Sequence, residues 1–340
     1  MKYILVLGRD QELSLYEIEQ TLNLKPLKVK HNLALYETET KPNIEVLGGT
    51  TRIAEVIKME DIENIDFQQK LKYHITGDNE DLTAFLKSFF KKNRIKAQYK
   101  KDEPTPTQLL QKDRIEFIAL NNLIAITSQV YNPKQVKFRD INRPEVDFVK
   151  ATSIRMAKIL VNLSKAKPNQ ILLDPFCGSG TILQEAMLKN INVIGTDIEK
   201  KSIEQSQKNL EWLKKNYPIN AEYSLIQTNI KTLTKHIKKA DAVVTEPYMG
   251  EFLKRKPDQT TALNQLAKLN PLYEDLFIKL SKILRPSSRV VIMLPVFKTK
   301  NSVYEAKPSG KFKILKKMPY NYAHNILQRN IYVLEYTSKS

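Results

Sequence analysis

The chain is 340 residues long, with 41% hydrophobic and 27% charged side chains; this is globular composition, and about 150 residues per domain suggests two or three domains. No apolar run approaches the roughly 20 residues of a membrane span, the opening MKYILVLGRDQE turns acidic too early for a secretory signal, and the single Cys177 excludes an internal disulfide or a cysteine-built metal site, so a cytoplasmic protein without a membrane partner is expected. Residues 1–81 hold 10 basic and 15 acidic side chains, residues 82–140 hold 12 and 5, and residues 141–340 hold 33 and 17, so the later parts are expected to meet a polyanion, unless the formal +18 reflects only lysine-rich composition.

The apolar run Tyr3–Gly8 predicts a strand, and Leu13, Tyr16, Ile18 and Leu22 share one helical face. Short strands at Leu27–Lys30 and Leu33–Glu37, a helical turn near Ile44–Gly48 and a strand Arg52–Met59 complete a βαββαβ order, the ferredoxin-like pattern, over residues 1–62. A second unit, residues 70–138, opens with Tyr73–Thr76. In it Leu82, Phe85, Leu86 and Phe89 make a helical stripe, and Ile115–Leu120 and Leu123–Val130 read as strands. Between them lies the basic run Lys91–Lys101, in which Arg94 and Tyr99 are candidate RNA contacts.

Residues 139–150 read as a linker, and from residue 151 to 340 helices and strands alternate. A helix Ala151–Leu163 leads to strand Ile171–Asp174, helix Thr181–Leu188, strand Asn192–Asp197, helix Lys200–Lys215 and strand Glu222–Gln227. Strand Asp241–Thr245, helix Leu272–Leu284, strand Arg289–Leu294 and a terminal hairpin of Phe312–Lys316 with Ile331–Tyr336 follow. This is the α/β rhythm of a doubly wound, mostly parallel sheet ending in an antiparallel hairpin, with ligands at the carboxyl ends of its strands.

The most specific stretch is Asp174-Pro175-Phe176-Cys177-Gly178-Ser179-Gly180-Thr181, a strand that ends in an acid, turns through two glycines and enters a helix. Asp197 closes the next strand, where a carboxylate can accept both ribose hydroxyls. A dinucleotide site calls for a third glycine where this chain has Leu183, and Asp174 would repel a pyrophosphate. A phosphate-free adenosyl ligand carrying an ammonium suits the loop better, which points to S-adenosylmethionine. Ile198 follows the ribose acid, and Asn229 and Ile230 follow the third strand as candidate adenine contacts. Cys177 reads as a small filler; with no second cysteine, attack of a thiolate on a pyrimidine is not expected.

Glu246-Pro247-Tyr248 ends the fourth strand. An aromatic amine is a weak nucleophile, so a carboxylate and a backbone carbonyl holding its two N–H groups, with a tyrosine face for the base, would set the nitrogen in line with a methyl donor. The segment resembles the (D/N)-P-P-Y of methyltransferases acting on exocyclic amines, with Glu for Asp or Asn and one proline rather than two. His31, His74, His236 and His324 lack metal spacing, and no metal is assigned.

With these residues in hand, the chain resembles the THUMP-containing RNA methyltransferases, most closely the archaeal-type tRNA guanine-10 N2-methyltransferase group and its eukaryotic relative that works with a small partner subunit. The resemblance is firmest from Arg139 to Tyr248: Arg139-Asp140-Ile141-Asn142-Arg143-Pro144 is similar to the group's R-D-x-x-R-P linker, and Met156–Leu163 to its K-L-A-R-x-x-x-N-L helix. The proline-rich start of that helix is replaced by Ala151-Thr152-Ser153-Ile154, and the stretch from His324 to Val333 is similar to the last hairpin. The resemblance implies a THUMP-like RNA-binding unit, a Rossmann-like catalytic unit, tRNA as partner and N2-guanine methylation. It leaves a small activating subunit or a homodimer undetermined. Arg139 and Arg143 are either phosphate contacts or a hinge paired with Asp140 and Glu145. The rival readings are the same reaction on ribosomal RNA or another tRNA position, N6-adenine methylation of DNA, and a silent RNA-binding protein.

Overall fold

The computed structural model describes residues 1–77, 79–146, 152–251, 253, 255–320 and 326–338, and it forms two compact units, Met1–Arg139 and Asp140–Ser340. In the first, β1 (Lys2–Leu7), α1 (Gln11–Leu22), β2 (Lys28–Lys30), β3 (Leu33–Glu37) and β4 (Thr50–Ile57) precede β5 (Lys70–Thr76), α2 (Glu80–Lys92) and β6 (Lys96–Lys100). The one-turn helix α3 (Pro106–Leu109), β7 (Arg114–Leu120) and β8 (Leu123–Val130) follow, and α4 (Pro133–Asn142) ends three residues past this unit's last residue. The strands expected of two separate domains join in one eight-stranded sheet, β2-β3-β1-β4-β8-β7-β5-β6, through antiparallel pairing of β4 with β8.

Three elements here, β6, α3 and α4, are not apparent in the sequence. The basic run contains β6, an edge strand whose Ala97 and Tyr99 pack against the apolar face of α2 while Lys96 and Gln98 face outward. Its period of two is carried by short and amphipathic side chains among lysines, which masks the apolar face. Helix α4 takes up Arg139–Asn142, so the expected linker begins as helix; residues 147–150 lie outside the described residues.

The second unit runs α5 (Ile154–Leu163), β9 (Ile171–Asp174), α6 (Thr181–Met187), β10 (Asn192–Asp197), α7 (Lys200–Asn216), β11 (Tyr223–Gln227), α8 (Leu233–His236), β12 (Ala242–Thr245) and α9 (Gln259–Ile283). Strands β13 (Arg289–Lys298), β14 (Val303–Glu305), β15 (Phe312–Tyr320) and β16 (Gln328–Tyr336) complete it. Sheet order is β11-β10-β9-β12-β13-β16-β15, parallel through β13 and antiparallel at the hairpin, as the sequence predicts. The chain leaves β9 toward β10 on one side and later returns to β12 on the other, so the switch point lies at the carboxyl end of β9.

Period-two burial builds one core on a single face. Leu173, Val243, Val290, Ile292 and Leu294 meet Tyr273, Leu276, Phe277 and Leu280 of α9, each buried side chain contributing about 1.5–3 kcal/mol. Helix α9 extends well before the expected Leu272, because Pro271 sits on its exposed side and costs a backbone hydrogen bond without a clash against the core.

Candidate functional site

Four strand ends converge on the switch point. At the end of β9, Asp174 is 1% exposed. Its Oδ1 accepts hydrogen bonds from Thr245 Oγ1 at 2.7 Å and from the Phe176 amide at 3.1 Å, while Oδ2 makes no hydrogen bond among the described residues. Burial pushes this carboxyl up to about 7, against the lowering effect of those two bonds, with Asp197 and Glu246 adding like charge.

The glycine turn follows. The Gly178 amide donates to Asp197 Oδ2 at 3.0 Å, and the Glu199 amide donates to Asp197 Oδ1 at 2.9 Å. Gly178 has φ +50°, and the space where a Cβ would stand is open; Gly180 has φ +80°, and a Cβ there would meet Ser206 Oγ at 2.8 Å. Side chains of α7 secure the turn: Ser206 donates to the Gly178 carbonyl at 2.8 Å and Asn209 to the Ser179 carbonyl at 2.8 Å. Neither was singled out in the sequence, where a serine and an asparagine on a charged helix carry no signal. Gly195 is a third requirement of this kind: a Cβ would lie 2.5 Å from Leu183 Cδ1 and 2.8 Å from Leu225 Cδ2.

Burial raises Asp197 as well, although it keeps a lone pair on each oxygen for a ribose hydroxyl. Ile198 beside it is 68% exposed, an apolar side chain left in solvent at the rim. A buried acid with an unused oxygen, an open glycine turn, a two-oxygen acceptor and an exposed apolar side chain fit an adenosyl group bearing an ammonium. Pro175, whose carbonyl accepts from Thr196 Oγ1 at 3.1 Å, and Thr181, the first residue of α6, frame the same turn. Phe176 packs against the α9 core. Cys177 is buried with its thiol pushed well up by desolvation, the state of a filler rather than a nucleophile.

Two adenine contacts come out differently from expectation. Asn229 Oδ1 caps the next turn, accepting the Thr232 amide at 3.1 Å with the Thr232 hydroxyl also 3.1 Å away, so both its lone pairs face Thr232 and the side chain offers its N–H donors rather than an acceptor for an adenine amino group. Ile230 is 8% exposed and belongs to the α9 core, leaving Ile198 as the apolar side chain in the open.

On the far side of β9, Glu246 follows β12 with its carboxylate engaged at both oxygens. Oε1 accepts Arg329 Nε at 2.9 Å, and Oε2 accepts the hydroxyl of Thr152, which immediately precedes the N-cap of α5. The carbonyls of Glu246 and Pro247 accept no hydrogen bond among the described residues. Pro247 is buried and Tyr248 is 57% exposed, its ring available and its carbonyl held by Tyr273 Oη at 2.6 Å. Gly250, at φ +99°, is packed so closely on α9 that a Cβ would lie 2.6 Å from Gln265 Oε1, which also accepts the Glu251 amide. Arg329 and Thr152 escape sequence reading because each is brought to Glu246 from more than eighty residues away.

The four basic-region candidates separate. Arg143 is 5% exposed, donates to Thr181 Oγ1 at 2.9 Å and pairs with Asp140 at 3.2 Å, so it braces the start of α6 and is removed from the phosphate-facing set. Glu145 pairs with Lys208 at 2.6 Å rather than with either arginine. Tyr99, a candidate RNA contact, is stacked on Tyr73 at 5.3 Å and half-buried, so one face of its ring is taken within the protein. Arg94 is exposed at the turn after α2, at φ +56°, and Lys87, Lys91 and Lys96 line one groove beside Phe90. Arg139 lies in α4. Of the four histidines, His74 is buried with its Nδ1 against the Asp102 carbonyl, and His324 lies outside the described residues. No helix among the described residues is long and apolar enough to cross a membrane.

Comparison with known proteins agrees with this architecture. The family model described as RMKL-like, methyltransferase domain matches residues 148–325, and a DNA methylase model matches residues 47–208. The chain is 33% identical over 134 residues to the tRNA (guanine(10)-N2)-dimethyltransferase of Methanothermobacter thermautotrophicus, covering 39% of this chain and 37% of that protein. It is 32% identical over 118 residues to a probable tRNA (guanine(10)-N2)-dimethyltransferase of Methanothermococcus thermolithotrophicus, covering 33% of this chain and 70% of that one. Against the first of these the chain thus spans little more than a third of the relative's length. Among solved structures, TrmN from Thermus thermophilus has the same fold, with a TM-score of 0.54 at 13% identity over 99% of this chain and 100% of that one. A possible methylase from Clostridium difficile 630 gives 0.51 at 15% identity, over 100% and 98%. The chain belongs to the RMKL-like methyltransferase-domain family.

Proposed function

We propose that this protein methylates the exocyclic N2 amine of a guanine in tRNA, at position 10, with S-adenosylmethionine as donor. The observation that carries the reading is the placement of Glu246-Pro247-Tyr248 at the end of β12, joined through Thr245 to Asp174 and the glycine turn. Similarity to proteins named as tRNA guanine-N2 methyltransferases supports the substrate. When bound, the donor supplies an electrophilic methyl group on a sulfonium that leaves neutral, so the protein's task is positioning.

Asp174 would hold the donor's ammonium with its unused oxygen, and the Asp197 oxygens would accept the ribose hydroxyls. Ile198 would cover one face of the adenine, while Asn229 donates to a ring nitrogen. Tyr248 stacks on the flipped base. The Glu246 carboxylate and the free carbonyl of Glu246 or Pro247 accept the two N–H bonds of the amine, which turns the nitrogen lone pair toward the donor. The same carboxylate stands ready for the proton the nitrogen sheds. The lysine-lined groove and Arg94 would bear on RNA phosphates.

The test is incubation with labelled S-adenosylmethionine and a tRNA transcript, followed by digestion to nucleosides. Label in N2-methyl- or N2,N2-dimethylguanosine is expected, and it should disappear when guanosine 10 is replaced. Label in N6-methyladenosine, or retention after that replacement, would overturn the base or the position respectively.

A further inference from the structure

We infer that Arg329 and Glu246 act together as a reader of the guanine edge, with Arg329 contacting the base directly. This rests on the guanine reading above. The Arg329 guanidinium comes from β16 and touches Glu246 through Nε alone, at 2.9 Å. Its two terminal nitrogens make no hydrogen bond among the described residues, although the side chain is only 23% exposed and that of Glu246 15%. Arginine–carboxylate pairs often close the fork on both carboxylate oxygens. Here the second oxygen is taken by Thr152, and the remaining donors of the guanidinium have no protein partner among the described residues.

Read along that edge, the site presents an acceptor at Oε2, an acceptor at Oε1 and then a donor on the Arg329 fork. Guanine presents the complement on its pairing edge in the same order: the N2 amine, N1–H and O6. This is how cytosine recognises guanine. Each Glu246 oxygen has one lone pair left after its bond to Thr152 or Arg329. Adenine reverses the pattern, since its N1 lone pair would face Oε1 and its N6 hydrogens would face the guanidinium. A pocket whose charged groups are partly desolvated turns such mismatches into unpaired partners, the strongest source of discrimination available to a binding site. Arg329 also ties the proposed base-reading edge to the terminal hairpin, giving β16 a role beyond closing the sheet.

The experiment compares kcat/KM for a tRNA transcript carrying guanosine at the target position with one carrying 2-aminopurine riboside, which keeps the N2 amine but lacks O6 and N1–H. Wild-type protein should prefer guanosine by roughly 100-fold, and Arg329→Met should lower that preference roughly 10-fold or more by losing activity on guanosine selectively. Arg329→Lys should restore part of it. Calorimetric binding of S-adenosylmethionine to each variant reports that the fold is intact. An equal loss on both transcripts would make Arg329 only a support for Glu246 and overturn the inference. So would a wild-type protein that does not distinguish the two bases, whatever the variants do. A wild-type protein inactive on both transcripts would overturn the guanine reading itself, and this inference with it.

Discussion

Thr245 at the end of β12 donates a 2.7 Å hydrogen bond to Asp174 at the end of β9, and neither side chain is exposed by more than 1%. This bond spans the two halves of the site: one residue beyond Thr245 is the proposed amine holder, and one beyond Asp174 begins the glycine turn. It also bears on the charge of Asp174, because a hydrogen bond from Thr245 favours the ionised carboxylate that burial opposes.

A pH dependence follows. Asp174 is lifted from 3.8 to about 7, so between those values the folded protein holds a proton that the unfolded chain has lost. Its ionised form is then an increasing burden on the unliganded fold as pH rises toward 7, which an ammonium would relieve. Affinity for S-adenosylmethionine should therefore rise about 10-fold between pH 6 and pH 8, with proton release at pH 6, measured by calorimetry in two buffers. Asp174→Asn should abolish the dependence and the proton release; a flat wild-type profile would contradict the role given to Asp174.

The two carboxylates of the site should separate by readout. Asp197→Ala removes the ribose acceptor and the anchors of the Gly178 and Glu199 amides, so donor affinity should fall by about 100-fold or more. Glu246→Gln should keep donor affinity within about threefold while turnover falls at least about 100-fold. Equal loss of both properties in the Glu246 variant would contradict its assignment to the amine.

Glycines 178 and 195 should fail for different reasons. Gly195→Ala places a methyl within 2.5 Å of Leu183 and should cost about 1–3 kcal/mol of stability in urea unfolding. Gly178→Ala meets no neighbouring atom and pays only for its φ of +50°, about 1 kcal/mol. Its added methyl points into open space, so its main effect should be on donor affinity.

Tyr248 and Tyr273 make a third pair. Tyr273→Phe removes the buried hydroxyl that holds the Tyr248 carbonyl and should lower stability by about 1 kcal/mol. Its kcat should fall more than its donor affinity, because the base-facing loop loses its anchor to α9. Tyr248→Phe should be mild and Tyr248→Ala severe, since the exposed ring is the stacking surface; a severe Phe variant would shift the role to the hydroxyl.

Arg143 and Arg94 test the polyanion surface. Arg143→Met should destabilise the protein by about 2–4 kcal/mol, leaving Asp140 and Thr181 without their buried partner, while the salt dependence of RNA binding stays unchanged. Arg94→Ala should leave stability within about 0.5 kcal/mol and reduce the slope of log affinity against log salt by about one.

The residues that bind through short-range geometry were legible in the sequence. Asp174, Gly178, Gly180 and Asp197 lie within one βαβ segment, where strand, turn and helix are fixed by local patterning, so their spacing alone brings them together. The parallel sheet was equally legible, because alternating strands and helices have few ways to bury their apolar faces. What the chain order could not disclose is whatever packing recruits across the fold: β6 hidden among lysines, the first half of α9 hidden behind Pro271, Tyr273 under Tyr248. Thr152 and Arg329 belong here too, closing on Glu246 from two distant segments. Neighbours in sequence meet through local backbone preferences; residues this far apart meet only once the sheet order β12-β13-β16 has set Arg329 beside the end of β12. Arg143 gives a related lesson, since the sequence leaves this motif arginine open between a phosphate contact and a structural pair, and only the fold shows it buried against Thr181 and Asp140.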